Sequence, residues 1–143
     1  GYYTPIAGGG SSPLVARPLY YGMMLFREFH PKELFRCSFE TGGVNATAYA
    51  GLDQQSRTKL VIINKDLKKS MSVNLSGRAF RRTSLRMALR APSVESTQSV
   101  TLAGQQLSGA DVWHGSFASR RRRLSVEVPS ASALLLEFEG DRS

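Results

Sequence analysis

A chain that hydrolyses or transfers groups without a cofactor needs a histidine, a pair of carboxylates or an activated nucleophile. This one carries two histidines, His30 and His114. Neither lies in a metal-binding spacing, and no G-x-S-x-G turn accompanies them. His30 ends an apolar segment, where a cation favours a helix C-terminus. His114 follows Trp113 in a turn-like stretch. Both read as structural. The eleven acids, from Glu28 to Asp141, fall at strand ends, in turns or on outward strand positions. No two of them stand out as the acid and nucleophile of a glycosidase. The single cysteine, Cys37, lies between Phe35 and Phe39 without a CxxC partner, so it reads as a buried structural thiol. A lone cysteine holds no metal and closes no intrachain disulfide. The residues therefore predict no catalytic set, no metal and no cofactor within this chain.

Charge offers a second kind of chemistry. Nineteen Lys and Arg against eleven Asp and Glu give a net charge of +8. Such a balance suits either a soluble basic surface or a polyanionic partner. The run Arg120–Arg123 is its densest part, but it lacks interleaved aromatics and any nucleic-acid module, so no nucleic-acid partner is expected. It reads as a solvated hairpin loop. Asn45-Ala46-Thr47 and Asn74-Leu75-Ser76 fit a glycosylation sequon by chance, since both fall in expected strands.

The elements that would position such residues follow from periodicity. Residues Gly1–Pro13 are rich in Gly, Ser and Pro and read as a loop. Residues Arg17–His30 read as a helix with Pro18 at its first position. It is apolar nearly all round, and a helix without a polar face is normally buried on several sides. From Leu34 the period becomes two. The segments Val44–Ala50, Lys59–Asn64, Ser70–Leu75, Ser84–Arg90, Ser99–Leu102, Arg123–Val128 and Ala133–Phe138 read as strands separated by turn residues. Short strands at this spacing predict an antiparallel, immunoglobulin-like β-sandwich. The longest apolar run, Leu19–Phe26, falls well below the roughly 18 residues that a membrane span needs. Gly1–Gly10 has neither the charged nor the apolar region of a signal peptide. A start without Met suggests a processed or truncated product.

Several of these segments resemble glycoside hydrolase family 79, the β-glucuronidases and heparanases. Ala16–Phe26 ("ARPLYYGMMLF") looks like the last helix of that family's catalytic barrel. Val44–Ala50, Leu60–Asp66, Ala88–Ser93, Val100–Gly104 and Val128–Ala133 are similar to its C-terminal sandwich. The resemblance implies two units: residues 1–31 as the loop and last helix of a (β/α)8 barrel, and residues 32–143 as the sandwich. It implies a retaining glycosidase whose two glutamates lie upstream, with roughly 5–5.5 Å between the carboxyls. It also implies that Gly1-Tyr2-Tyr3 matches a rim loop that binds a uronic carboxylate. The Gly1 N–H and Tyr3 hydroxyl would be the donors, with Tyr2 at the variable middle position. The implied partners are the N-terminal barrel segment, in the same polypeptide or a separate chain, and an acidic glycan bearing glucuronic acid. The implied compartment is secreted or periplasmic. A contrasting reading of the same residues is a stand-alone carbohydrate- or polyanion-binding sandwich without catalysis, whose mark would be the helix packed on the sandwich.

Overall fold

The computed structural model describes residues 4–80, 84–109, 111–120 and 125–139. In chain order a hairpin of β1 (Ile6–Gly9) and β2 (Ser12–Ala16) leads into helix α1 (Pro18–Phe29). Strands β3 (Glu33–Phe35), β4 (Ala46–Leu52), β5 (Thr58–Asn64) and β6 (Met71–Asn74) follow. A 3-10 turn, Arg78–Phe80, precedes β7 (Ser84–Arg90), β8 (Thr101–Leu102), β9 (Ala118–Arg120), β10 (Ser125–Val128) and β11 (Ser132–Phe138).

β5 and β11 are apolar at most positions and buried along nearly their whole length. Strands of that composition must be covered on both faces. They pair antiparallel at the centre of a seven-stranded sheet, with Leu135 opposite Val61 and Glu137 opposite Lys59. The order is β3-β4-β5-β11-β7-β8, and β9 joins the other end of β7. One face is covered by the two-stranded sheet β10-β6, which packs Met71, Val126 and Val128 against Leu60, Ile62, Leu134, Leu136 and Phe138. The opposite face is covered by α1, where Tyr21, Met24, Leu25 and Phe29 pack against Val61, Met87, Leu102 and Leu135. Tyr21 is fully buried, and its hydroxyl accepts the Leu107 N–H at 2.7 Å, so the polar end of the ring is satisfied. The fold is thus mainly β and antiparallel, as the period-two segments predict, with their ends slightly shifted.

Three expectations change. The stretch before Pro13 is not all loop, because Ile6–Gly9 and Ser12–Ala16 form a hairpin. Its turn needs glycine: Gly8, Gly9 and Gly10 have φ of 98°, 114° and 64°. A Cβ on Gly8 would also overlap the Pro13 carbonyl. Pro13 fits because an edge strand can spare a donor. Cys37 is exposed rather than buried. The chain leaves the sheet after Phe35, so the alternation that would have turned the thiol inward is lost. Third, one strand acid is not outward: Glu137 is buried, as is Asp53 in its turn. β11 has no solvent face, so every one of its positions is interior.

Leu135 is fully buried between β5, β7 and α1. Leu135→Ala is expected to lower unfolding free energy by about 2–5 kcal/mol. Leu67→Ala, at an exposed turn, should change it by less than about 0.5 kcal/mol. Urea denaturation of the two variants checks the contrast.

Candidate functional site

The buried acids meet two cations at the helix end of the large sheet. The turn between β4 and β5 folds Asp53 back on its own backbone. One carboxylate oxygen accepts the N–H groups of Gln55 and Arg57, each at 2.9 Å. The other accepts Arg57 Nε at 2.8 Å. Arg57 Nη1 also reaches Glu137 at 2.6 Å, and Lys59 Nζ lies 3.3 Å from the second Glu137 oxygen. Lys59 Nζ donates to the Glu28 carbonyl at 2.6 Å, placing a cation at the C-terminal end of α1. The side chains of Asp53, Glu137 and Lys59 are 5%, 6% and 9% exposed. Burial opposes ionisation of Asp53. The N–H groups of Arg57 and Gln55 and the Arg57 guanidinium outweigh it, holding the carboxyl below its ordinary range. Each carboxylate oxygen already has a donor, and neither acid opens to a substrate. This group clamps the helix to the sheet and is unsuited to acid–base work.

The helix-side face has a different character. Tyr21, Met24, Leu25 and Phe29 occupy one side of α1, and Leu19, Met23 and Phe26 line the opposite side at i, i+4 and i+7. These three are 50%, 54% and 68% exposed. Gly22 lies in the same stripe, and a Cβ there would meet open space. Leu34 and Tyr49 are also exposed. They oppose Gly51 and Val61 in the register, which puts them on the helix side of the sheet. The hairpin adds exposed Ile6 and Leu14 beside Tyr20. The small sheet, by contrast, turns Ser72, Asn74 and Glu127 outward. The stripe on α1, Leu34 and Tyr49 thus put exposed apolar side chains on the helix side, while the outward positions of the small sheet are polar.

Gly1, Tyr2 and Tyr3 lie outside the described residues, as do Arg121, Arg122 and Arg123; Arg120 contributes its backbone to β9. His30 is exposed at the helix end with its N–H on the Phe26 carbonyl, and the His114 N–H donates to Gln105 Oε1. Among the described residues no three His, Cys, Asp or Glu come together to hold a metal, and no helix is long and apolar enough to cross a membrane. Periodicity missed the clamp. Its one local signal is the four-residue spacing of Asp53 and Arg57, while Lys59 and Glu137 join only across the sheet.

An antiparallel sandwich with one helix on the face of its larger sheet is a fold found within glycoside hydrolases. The structure of the thermostable GH51 alpha-L-arabinofuranosidase from Thermotoga petrophila RKU-1 is similar over 94% of this chain, with a TM-score of 0.71 at 13% sequence identity. The alpha-L-arabinofuranosidase from Thermotoga maritima in its arabinose complex is similar over 95%, with 0.69 at 12%. The GH51 arabinofuranosidase from Xanthomonas axonopodis pv. citri is similar over 94%, with 0.59 at 16%. The chain spans 31%, 31% and 28% of those three proteins. The likeness is one of fold. It does not single out family 79. No family profile and no curated protein matches the sequence.

Two outcomes follow for the clamp. Lys59→Met leaves two buried carboxylates short of a cation and should cost about 3–5 kcal/mol, with faster hydrogen exchange in the last turn of α1. The folded-state pKa of Asp53 lies below its unfolded value of 3.8. Its contribution is therefore present above about pH 4 and lost as pH falls through the folded value. Urea unfolding at pH 7 and pH 3 should show a shallower acid loss in Asp53→Asn than in the parent.

Proposed function

We propose that this chain is the C-terminal part of a retaining glycoside hydrolase that cleaves β-linked glucuronic acid from glycans. The observation that carries the reading is the apolar stripe Leu19, Met23 and Phe26 on the solvent side of a helix whose other side is already used. A row of exposed apolar side chains along one side of a helix suits a docking face. The fold favours a catalytic barrel as the docked body, since it makes up about a third of the arabinofuranosidases it resembles. The barrel carries the two glutamates, and the sandwich supports it. Residues 1–31 belong with the barrel and residues 32–143 with the sandwich. The partner is that barrel segment, in the same polypeptide or as a separate chain.

The sugar rests on the resemblance to family 79. In this reading the Gly1 N–H and Tyr3 hydroxyl bind the uronic carboxylate, with Tyr2 between them, and the net charge of +8 favours an acidic glycan. The enzyme works outside the cytoplasm, secreted or periplasmic. A second reading, a stand-alone polyanion- or carbohydrate-binding module, draws on the packing of Tyr21, Met24, Leu25 and Phe29 against the sandwich.

The test uses the chain alone and joined to its barrel segment. The chain alone should not turn over an aryl β-glucuronide, whereas the joined protein should; turnover by the chain alone overturns the proposal. Replacing Leu19, Met23 and Phe26 together by Ser should weaken association with the barrel by tenfold or more, on the order of 1.4 kcal/mol. Stability of the isolated chain should be nearly unchanged. Undiminished association sinks the docking face. Tyr3→Phe should lower kcat/KM for the glucuronide by about tenfold, the scale of one hydrogen bond to a charged group. Turnover of an aryl α-L-arabinofuranoside in place of the glucuronide would overturn the sugar and leave the assembly standing.

A further inference from the structure

The turn between β5 and β6 carries three exposed lysines, Lys65, Lys68 and Lys69. Its shape is fixed from inside. Asn64 is buried; its Oδ1 accepts the Asp66 N–H at 3.0 Å, and its Nδ2 donates to the carbonyls of Lys69 and Val128 at 2.9 and 3.1 Å. Asp66 Oδ1 accepts the N–H groups of Lys68 and Lys69 at 3.0 and 2.9 Å, and its Oδ2 accepts the Asn45 N–H at 3.3 Å. Both oxygens of the one acid in the turn thus serve the backbone. Lys69 feels the Asp66 charge, but among the described residues none of the three lysines makes an ion-pair contact. A hollow of about 410 Å³ lies among them, and Lys65 borders a second of about 280 Å³. The charged residues lining the two are these lysines and Asp66; Glu95, the acid of the β7–β8 loop, lines neither. Three cations on one rigid turn repel one another, so an anionic partner is the favoured complement.

The place of the turn in the fold narrows that partner. α1 runs antiparallel to β5: its Glu28 carbonyl meets Lys59 near the start of the strand, and its first residue, Pro18, borders the same hollow as Lys65, just past the strand's end. A helix of a (β/α)8 barrel begins on the face where the preceding strand ends, and active sites lie on that face. On the hydrolase reading proposed above, the lysine turn is therefore at the catalytic side of the assembly and the Lys59 clamp at the opposite side. We infer that Lys65, Lys68 and Lys69 bind the outer units of an acidic glycan chain, so that the substrate is a polymer of repeated carboxylates rather than a single terminal glucuronide. Lysine suits the task. Its ammonium is a point charge on a flexible stem, which follows a string of carboxylates without demanding one geometry. Gly1 and Tyr3 take the uronic acid at the cleaved bond, and the lysines take units beyond it.

The probe is a hexasaccharide of alternating glucuronic acid and N-acetylglucosamine. Binding to the chain is measured at about 0.15 M ionic strength, where charges more than about 8 Å away are largely screened. Lys65→Gln, Lys68→Gln and Lys69→Gln together should weaken it about tenfold, the scale of three exposed ion pairs. Lys32→Gln, Arg36→Gln and Arg78→Gln together remove the same charge from other exposed positions and should weaken it less than about twofold. Equal losses in the two variants overturn the inference, because net charge alone then draws the glycan. A parent chain that does not bind the hexasaccharide overturns it as well. If a DNA duplex binds through these lysines and the hexasaccharide does not, the occupant is a nucleic acid and the inference fails. In the protein joined to its barrel segment, the lysine variant should raise KM for the hexasaccharide about tenfold relative to KM for an aryl β-glucuronide, with kcat held. An unchanged KM ratio sinks the inference and leaves the hydrolase reading standing. Lysine-dependent binding by the chain, without glycosidase turnover in the joined protein, overturns the hydrolase reading and keeps the glycan site.

Discussion

The side chains of β11 alternate between two cores: Ala133, Leu135 and Glu137 face the helix, and Leu134, Leu136 and Phe138 face the small sheet. β5 does the same in register beside it. This double burial constrains everything else. A one-residue slip of either strand would send Glu137 or Lys59 into the aliphatic core around Phe138 and strip the helix side of its partners. The sheet therefore has a single register, and both covering layers are positioned from it.

The clamp at the end of that pair settles where α1 sits. A helix of 12 residues is marginal by itself, so its placement depends on tertiary contacts. The apolar side supplies area without direction. The bond from Lys59 to the Glu28 carbonyl supplies direction, because it engages one end of the helix at one point of β5. Lys59 is held in turn by Glu137 across the sheet, and Glu137 by Arg57 from the adjacent turn. Removing one member unbalances the buried charges that remain, which is why such a group acts as a unit. The same packing leaves Leu19, Met23 and Phe26 outward. Fixing one side of an all-round apolar helix presents the other.

Much of the architecture was legible in the residues. The alternation in Ser84–Arg90 and the continuous apolar runs in β5 and β11 gave the sandwich. Pro18 and the change of period after Pro31 gave the helix. The hairpin was not legible, because its strands are four and five residues long and glycine-rich, so they carry almost no alternation. Cys37 was misplaced because its apolar neighbours imply a strand that the chain has already left. Gly1, Tyr2 and Tyr3 were assigned to a carboxylate by resemblance, and no packing pattern bears on them.

The sequence by itself determined that the chain builds an antiparallel sandwich with one apolar helix. Local patterns of two and of three or four residues suffice for that. Tertiary structure decided which charges are interior and which side of α1 stays open. Those outcomes depend on partners far apart in the chain: Arg57 and Glu137 are 80 positions apart. A residue's own neighbours cannot encode a contact that exists only once the sheet has closed.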